Sequence, residues 1–237
     1  MKSQYHALVL QGNRRLTDGL QFQASYTLAK STDTGQNSQI TTSIFNQPLD
    51  LFNPNLEEGP SNFDIRHKFV ASAVYSPTLY DGSNNTFYNY LLNGWSFAPI
   101  FIYYSGSPFS GSGPANLNGT NGSNRFPLNE RNSYRNPDLW NVDLRVSKRF
   151  NFTERYNLEL LAEGFNVFNR TQVSGLNFTQ YALPVTSGGV SNCAAINGIT
   201  TNDPNGLCSQ PTFGSIFSTD SNNFRERQIQ FAVRFHF

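Results

Sequence analysis

Charge is scarce in this chain. Only 14% of its 237 residues are Asp, Glu, Lys or Arg, against ~25% in ordinary soluble domains. Lys and Arg (17) nearly cancel Asp and Glu (16), for a net charge of +1. That balance leaves no basic stripe for nucleic acid and no acidic tail. No run of ~20 apolar residues occurs, so a membrane-spanning helix is excluded. Ala, Leu, Glu and Lys are sparse as well, which disfavours a helical fold. The opening MKSQYHALVL lacks the layout of a signal peptide, so an export signal is expected upstream of it.

Catalytic and metal signatures are missing too. His6, His67 and His236 are scattered without ligand spacing, and no GxSxG elbow, P-loop or EF-hand loop appears. Neither an enzymatic activity nor a cofactor is expected. Glu159 and Glu163 stand four apart in one strand, ~13 Å along it, too far for a glycosidase acid–base pair. The two cysteines, Cys193 and Cys208, match no CxxC motif. They share one Gly/Asn/Thr-rich segment, where a loop-stapling disulfide in an oxidising compartment competes with two unpaired thiols.

Aromatic residues are abundant, at 14%, with 21 Phe. The mean hydropathy of −0.45 suits a soluble protein. It equally suits a membrane β-barrel, whose strands show lipid only every second residue. Alternation of period two decides between them. At the C-terminus Ile229, Phe231, Val233, Phe235 and Phe237 share one face, while Gln228, Gln230, Ala232, Arg234 and His236 share the other. Segments 20–30, 63–75, 140–149 and 156–163 repeat the pattern, and 5–16 and 94–104 follow it more weakly. Pro99 predicts a bulge or bend in the last of these.

The connections alternate as well. Asp18-Gly19 reads as a tight turn and 151–155 as another short one. The link at 77–90 is intermediate, whereas 31–62, 105–137 and 169–224 are long. Short turns on one side and long loops on the other are the layout of an outer-membrane barrel. The expected fold is therefore all-β: about seven antiparallel transmembrane strands, each roughly 10–14 residues, with short periplasmic turns and long extracellular loops. Interfacial aromatics are expected at Tyr75, Trp95, Phe150, Tyr156 and Phe237 on the short-turn side, and at Tyr5, Tyr103 and Trp140 near the long loops. An odd strand count predicts an open sheet with two free edges rather than a closed ring.

The inward face carries mixed charge. Asp64, Arg66 and Lys68 fall on one predicted strand, Asp143, Arg145 and Arg149 on another, and Glu159 and Glu163 on a third. Adjacent strands bring such groups within ion-pairing reach. The wall is read first as partly hydrated salt bridges, and second as a docking face or solute path. In the long loops, Asn132, Tyr134, Asn136, Phe178 and Tyr181 suit a neutral or oligosaccharide-like ligand.

Six blocks carry a resemblance: SYTLAKS (25–31), FDIRHKFVAS (63–72), GWSFAPIFIYYSGSPF (94–109), NPDLWNVDLRVSKRF (136–150), LLAEGFNVFNR (160–170) and FGSI with RQIQFAVRFHF in 213–237. Together they resemble the end of a TonB-dependent receptor barrel of the Oar-like type, over nearly the whole chain. The resemblance implies a 22-stranded barrel in the outer membrane of a Gram-negative-type cell, importing a scarce solute. Residues 1–237 would be its C-terminal part. The plug, the TonB box and the N-terminal regulatory-like domain have no counterpart here. The implied partners are outer-membrane lipid, the assembly machinery that reads the C-terminal alternation ending in Phe237, the remaining barrel strands, the plug, and the TonB system through the plug. A secreted all-β carbohydrate-binding module and a non-transporting adhesive barrel are the alternatives.

Overall fold

The computed structural model describes residues 2–35, 50, 52–81, 86–113, 125, 129–153, 155–182, 185–187, 190–192, 208–219 and 226–237. Seven long strands form one antiparallel sheet in chain order: β1 (Ser3–Thr17), β2 (Leu20–Asp33), β3 (His67–Tyr75), β4 (Trp95–Tyr104), β5 (Leu139–Asn151), β6 (Asn157–Phe165) and β7 (Gln228–His236). A two-residue strand, Gly59–Pro60, adds to the end of β2 and makes eight in all. Among the described residues β1 and β7 do not pair with each other, so the sheet is open.

Register makes the alternation a property of the whole wall. Directly opposed residues in antiparallel strands share a face. Tyr26 opposes Phe69, Phe69 opposes Tyr103, and Tyr103 opposes Trp140. Further along the same face, Val146 opposes Ala162 and Ala162 opposes Phe231. On the other face Gln23 opposes Ser72, Ser72 opposes Ile100, Ile100 opposes Asp143, and Arg145 opposes Glu163. One face is thus apolar from β1 to β7 and the other is mostly polar. Tyr5 is an exception to the expected girdle: it opposes Ser31 and lies on the polar face.

Burial runs opposite to that of a soluble domain. Among the described residues only Ala29, Leu161, Leu176 and Cys208 are buried hydrophobics, against fifteen buried polar or charged residues. Leu8, Phe22, Phe231 and Val233 stand exposed on the apolar face. A soluble sheet must bury such a face against another layer; here lipid is the medium that covers it.

Two local readings change. The strand expected over 63–75 begins at His67, so Asp64 and Arg66 precede the wall rather than line it. The reason is that Asp64 is drawn into side-chain bonds of its own, described below. Pro99 causes no register shift. It pairs with Leu144 in an unbroken ladder to β5, while pairing to β3 lapses beside it and resumes in the same register at Tyr75 and Phe97. A proline removes one donor, and only one neighbour has to do without it.

Connections alternate as expected. Asp18 and Gly19 both adopt positive φ (52° and 73°), the signature of a two-residue hairpin turn matched to strand twist. All three long connections leave from the opposite end of the sheet. The link between β3 and β4 holds a short helix, α1 (Thr86–Leu92), which the alternation did not foretell.

Candidate functional site

The polar wall carries cross-strand ion pairs. Arg145 on β5 bonds Glu163 on β6 at 2.5 Å. Glu159 on β6 lies 3.8 Å from both Arg149 on β5 and Arg234 on β7. The two glutamates are each held by arginine, as a charge ladder requires. Lys68 stands over the Tyr104 ring at 5.3 Å. A hollow of about 330 Å³ lies against this face, lined by Gln21, Gln23, Ser72, Ile100, Asp143 and Arg145 among others. Phe22, Val74, Leu144 and Phe165 also line it, so its character is mixed polar and apolar.

Asp143 has a second duty. It accepts from the Asn141 amide at 2.7 Å and from the Asn166 backbone N–H at 2.9 Å. Asn166 ends β6 at a positive φ of 47°, a conformation asparagine tolerates better than most residues. Its side chain bridges the backbone N–H and C=O of Arg170, both at 2.9 Å. The Arg170 guanidinium then lies 4.7 Å from the centre of the Trp140 ring. The FNVFNR block is therefore a built bend that turns the chain out of the wall, and Asp143 is its anchor.

The long-loop end is closed by buried ions. Arg131 has no exposed surface. It donates to the Asp33 carboxylate, to the Asp33 carbonyl at 2.9 Å and, through Nε, to the Glu57 carbonyl at 2.9 Å. Arg125 pairs with the Glu57 carboxylate at 2.6 Å, with both side chains almost fully buried. Burial lowers the pKa of Arg125, the Glu57 charge works against that shift, and the Arg131 charge adds to it. Asp64 is fully buried in its side chain, accepts from the Ser31 N–H at 2.6 Å and pairs with Arg135, with Arg66 at 3.6 Å. Asn132, at a positive φ of 57°, donates to the Pro60 carbonyl and to Asn62 Oδ1, both at 2.7 Å. Carboxylates from the end of β2 and the β2–β3 loop thus meet arginines from the β4–β5 loop.

An aromatic knot joins the last two loops. Phe109 lies 4.7 Å from Phe178 and 5.6 Å from Tyr134, and Tyr134 meets Phe213 edge-on at 5.0 Å. Gln180 donates to the Tyr134 hydroxyl at 3.0 Å. Several side chains read as suited to a ligand have protein partners here. Tyr134 and Phe178 pack in the knot, Asn132 is buried, and Asn136 donates to Ser107 at 3.0 Å. Tyr181 lies beside Gln180.

Sequence reasoning missed Asp33, Glu57, Arg125, Arg131 and Arg135. Loop charges read as solvated, and only the clustering of three arginines within eleven positions of a charge-poor chain hints otherwise. Cys208 is fully buried and disulfide-bonded; Cys193 lies outside the described residues. Among the described residues no cluster of His, Cys, Asp and Glu could hold a metal ion.

An open antiparallel sheet with a polar face, an apolar unpacked face and segregated loops is the wall of a transmembrane β-barrel. The chain belongs to the outer membrane beta barrel domain family, whose model matches residues 1–130 and 124–230. That membership places it in the outer membrane and removes the secreted-module reading. No curated protein matches the chain.

Proposed function

We propose that this chain is part of the barrel of a TonB-dependent receptor that imports a scarce solute across the outer membrane. The observation that carries the reading is a mostly polar face running across seven strands that, among the described residues, do not close on themselves. Each free edge exposes backbone groups that cost several kcal/mol apiece in hydrocarbon. Further strands must pair with β1 and β7, which makes the lumen wider than seven strands enclose. A wide, polar, charge-paired lumen fits a plugged transporter of the kind the six blocks resemble.

On this reading the long loops face outward, and their ion lattice and aromatic knot hold them as a receptor mouth. β7 presents its apolar alternation to the assembly machinery, and lipid covers the apolar face. The plug docks on the polar wall and links it to TonB. No enzymatic step, cofactor or nucleic acid enters. The test is capture. The gene product, solubilised from native outer membranes, should bind the periplasmic domain of TonB and release it when the TonB box is deleted. A product that never binds TonB would leave a barrel without energised transport and overturn the proposal.

A further inference from the structure

Among the described residues the connection between β3 and β4 is the one element on the short-turn side that is not a plain turn. Its helix α1 is attached to the apolar face of the wall. Trp95, the first residue of β4, directly opposes Lys148 of β5, and both belong to that face. The Trp95 indole donates to the Leu91 carbonyl at 3.1 Å. Lys148 Nζ donates to the same carbonyl at 3.2 Å and also to the Asn93 carbonyl. Lys148 is only 6% exposed, beside half-buried Trp95, Val146 and Phe150 on the same face, because the helix end and the rings of Trp95 and Phe150 enclose its ammonium. A cation bonded to the last carbonyls is the favourable arrangement for a helix C-terminus.

Other contacts fasten the segment. The Tyr90 hydroxyl donates to the Asn151 carbonyl at 2.7 Å, at the end of β5. Asn93 accepts from the N–H groups of Leu79 and Tyr80 at 2.9 and 3.0 Å, and donates back to the Tyr80 carbonyl. The polar groups of the connection are thus turned to one another and to the wall. Its apolar side chains stay largely exposed, Phe87 at 68% with Tyr88 edge-on at 5.9 Å, Leu79 at 59% and Leu91 at 52%. Phe87 and Leu91 are four apart and share a helix face.

We propose that α1 and Leu79 form an interfacial anchor, in which Phe87, Leu91 and Leu79 enter the headgroup–acyl boundary of a phospholipid leaflet at the short-turn rim. The occupant follows from continuity. The apolar cluster adjoins Trp95, Phe97 and Phe150, which already face lipid, and the charge beside them on that face, Lys148, is occupied by carbonyls and rings. An amphipathic helix in that position settles about 5–10 Å into the boundary. The anchor works whether or not the barrel transports.

The test is site-specific photo-crosslinking in native outer membranes, with Phe87→p-benzoylphenylalanine as probe and Phe97→p-benzoylphenylalanine as the lipid-facing reference. Both are expected to give adducts of phospholipid mass in comparable yield. Trp95→Phe, which cuts the indole tie to Leu91, should lower the yield at position 87 severalfold and leave position 97 unchanged. A protein adduct or no adduct at position 87, beside a lipid adduct at 97, would show the helix facing a partner or water and overturn the anchor. Loss of lipid adducts at both positions would overturn it as well, together with the lipid exposure of β4, independently of any result with TonB.

Discussion

Replacing Arg131 by methionine isolates the loop lattice. The side chain has no exposed surface and donates through Nε and Nη2 to the Asp33 carboxylate and the carbonyls of Asp33 and Glu57. Methionine keeps most of the volume but leaves Asp33, 7% exposed, as a buried charge whose remaining described donor is the Gly35 N–H at 3.0 Å. Removing one partner of a buried pair costs about 3–5 kcal/mol. At 1.36 kcal/mol per tenfold, local opening should rise by roughly two to more than three orders of magnitude. Amide hydrogen exchange in nanodiscs reads it directly at Ser61, whose N–H is bonded to the Ser31 carbonyl at 2.9 Å. Its protection should collapse while the β5–β6 amides hold theirs. Adding Asp33→Asn removes the stranded charge and should restore all but ~1–2 kcal/mol, the share of the carbonyls left without a donor. Unchanged protection at Ser61 in the single variant, or a double variant as exposed as the single, would refute the reasoning.

Arg145→Met, by contrast, breaks a pair whose side chains are 51% and 26% exposed, so its effect on stability should stay within about 0–1 kcal/mol; a larger loss in denaturant titration would mean the wall is less hydrated than its geometry implies. Phe237→Asp puts a charge at the end of the apolar alternation on β7 and should abolish insertion, which surface labelling of the full-length product checks; normal surface levels would sink the assembly-signal reading. Cys193 and Cys208 should resist alkylation without reductant, and closing a loop of about 15 residues should stabilise it by ~3 kcal/mol in the chain-entropy view. Mass spectrometry finding both thiols modified would end that idea.

What the sequence disclosed depended on range. Alternation is a local signal, and it located all seven strands, because each apolar position along Ile229–Phe235 or Trp140–Val146 is dictated by the medium it faces. The turn at Asp18-Gly19 was equally local. One boundary failed for a non-local reason: the alternation of Phe63 and Ile65 continues that of the strand, but Asp64 is claimed by Ser31 and Arg135 from other parts of the chain. Helix α1 escaped notice because a seven-residue segment has too little periodicity to declare itself, and its anchors, Trp95 and Lys148, come from two different strands. The loop lattice was the least legible part. Arg131 and Asp33 are separated by 98 positions, and no spacing rule links them.

The shared register of the seven strands determines how the chain can change in length. Every pair from Gln11–Ser25 to Glu159–Arg234 keeps the same face, so losing a single residue inside a strand turns all that follows in it to the opposite medium. Deleting Ala24 from β2 would hand Ser25 and Thr27 to lipid and turn Tyr26 and Leu28 to the polar face. Beyond the strand ends no such parity applies, and the three long connections can grow or shrink by any number of residues. Strand positions therefore accept substitutions that keep their polarity but not changes in length, which fall to the connections, and recognition can diversify there without the membrane-spanning wall being rebuilt.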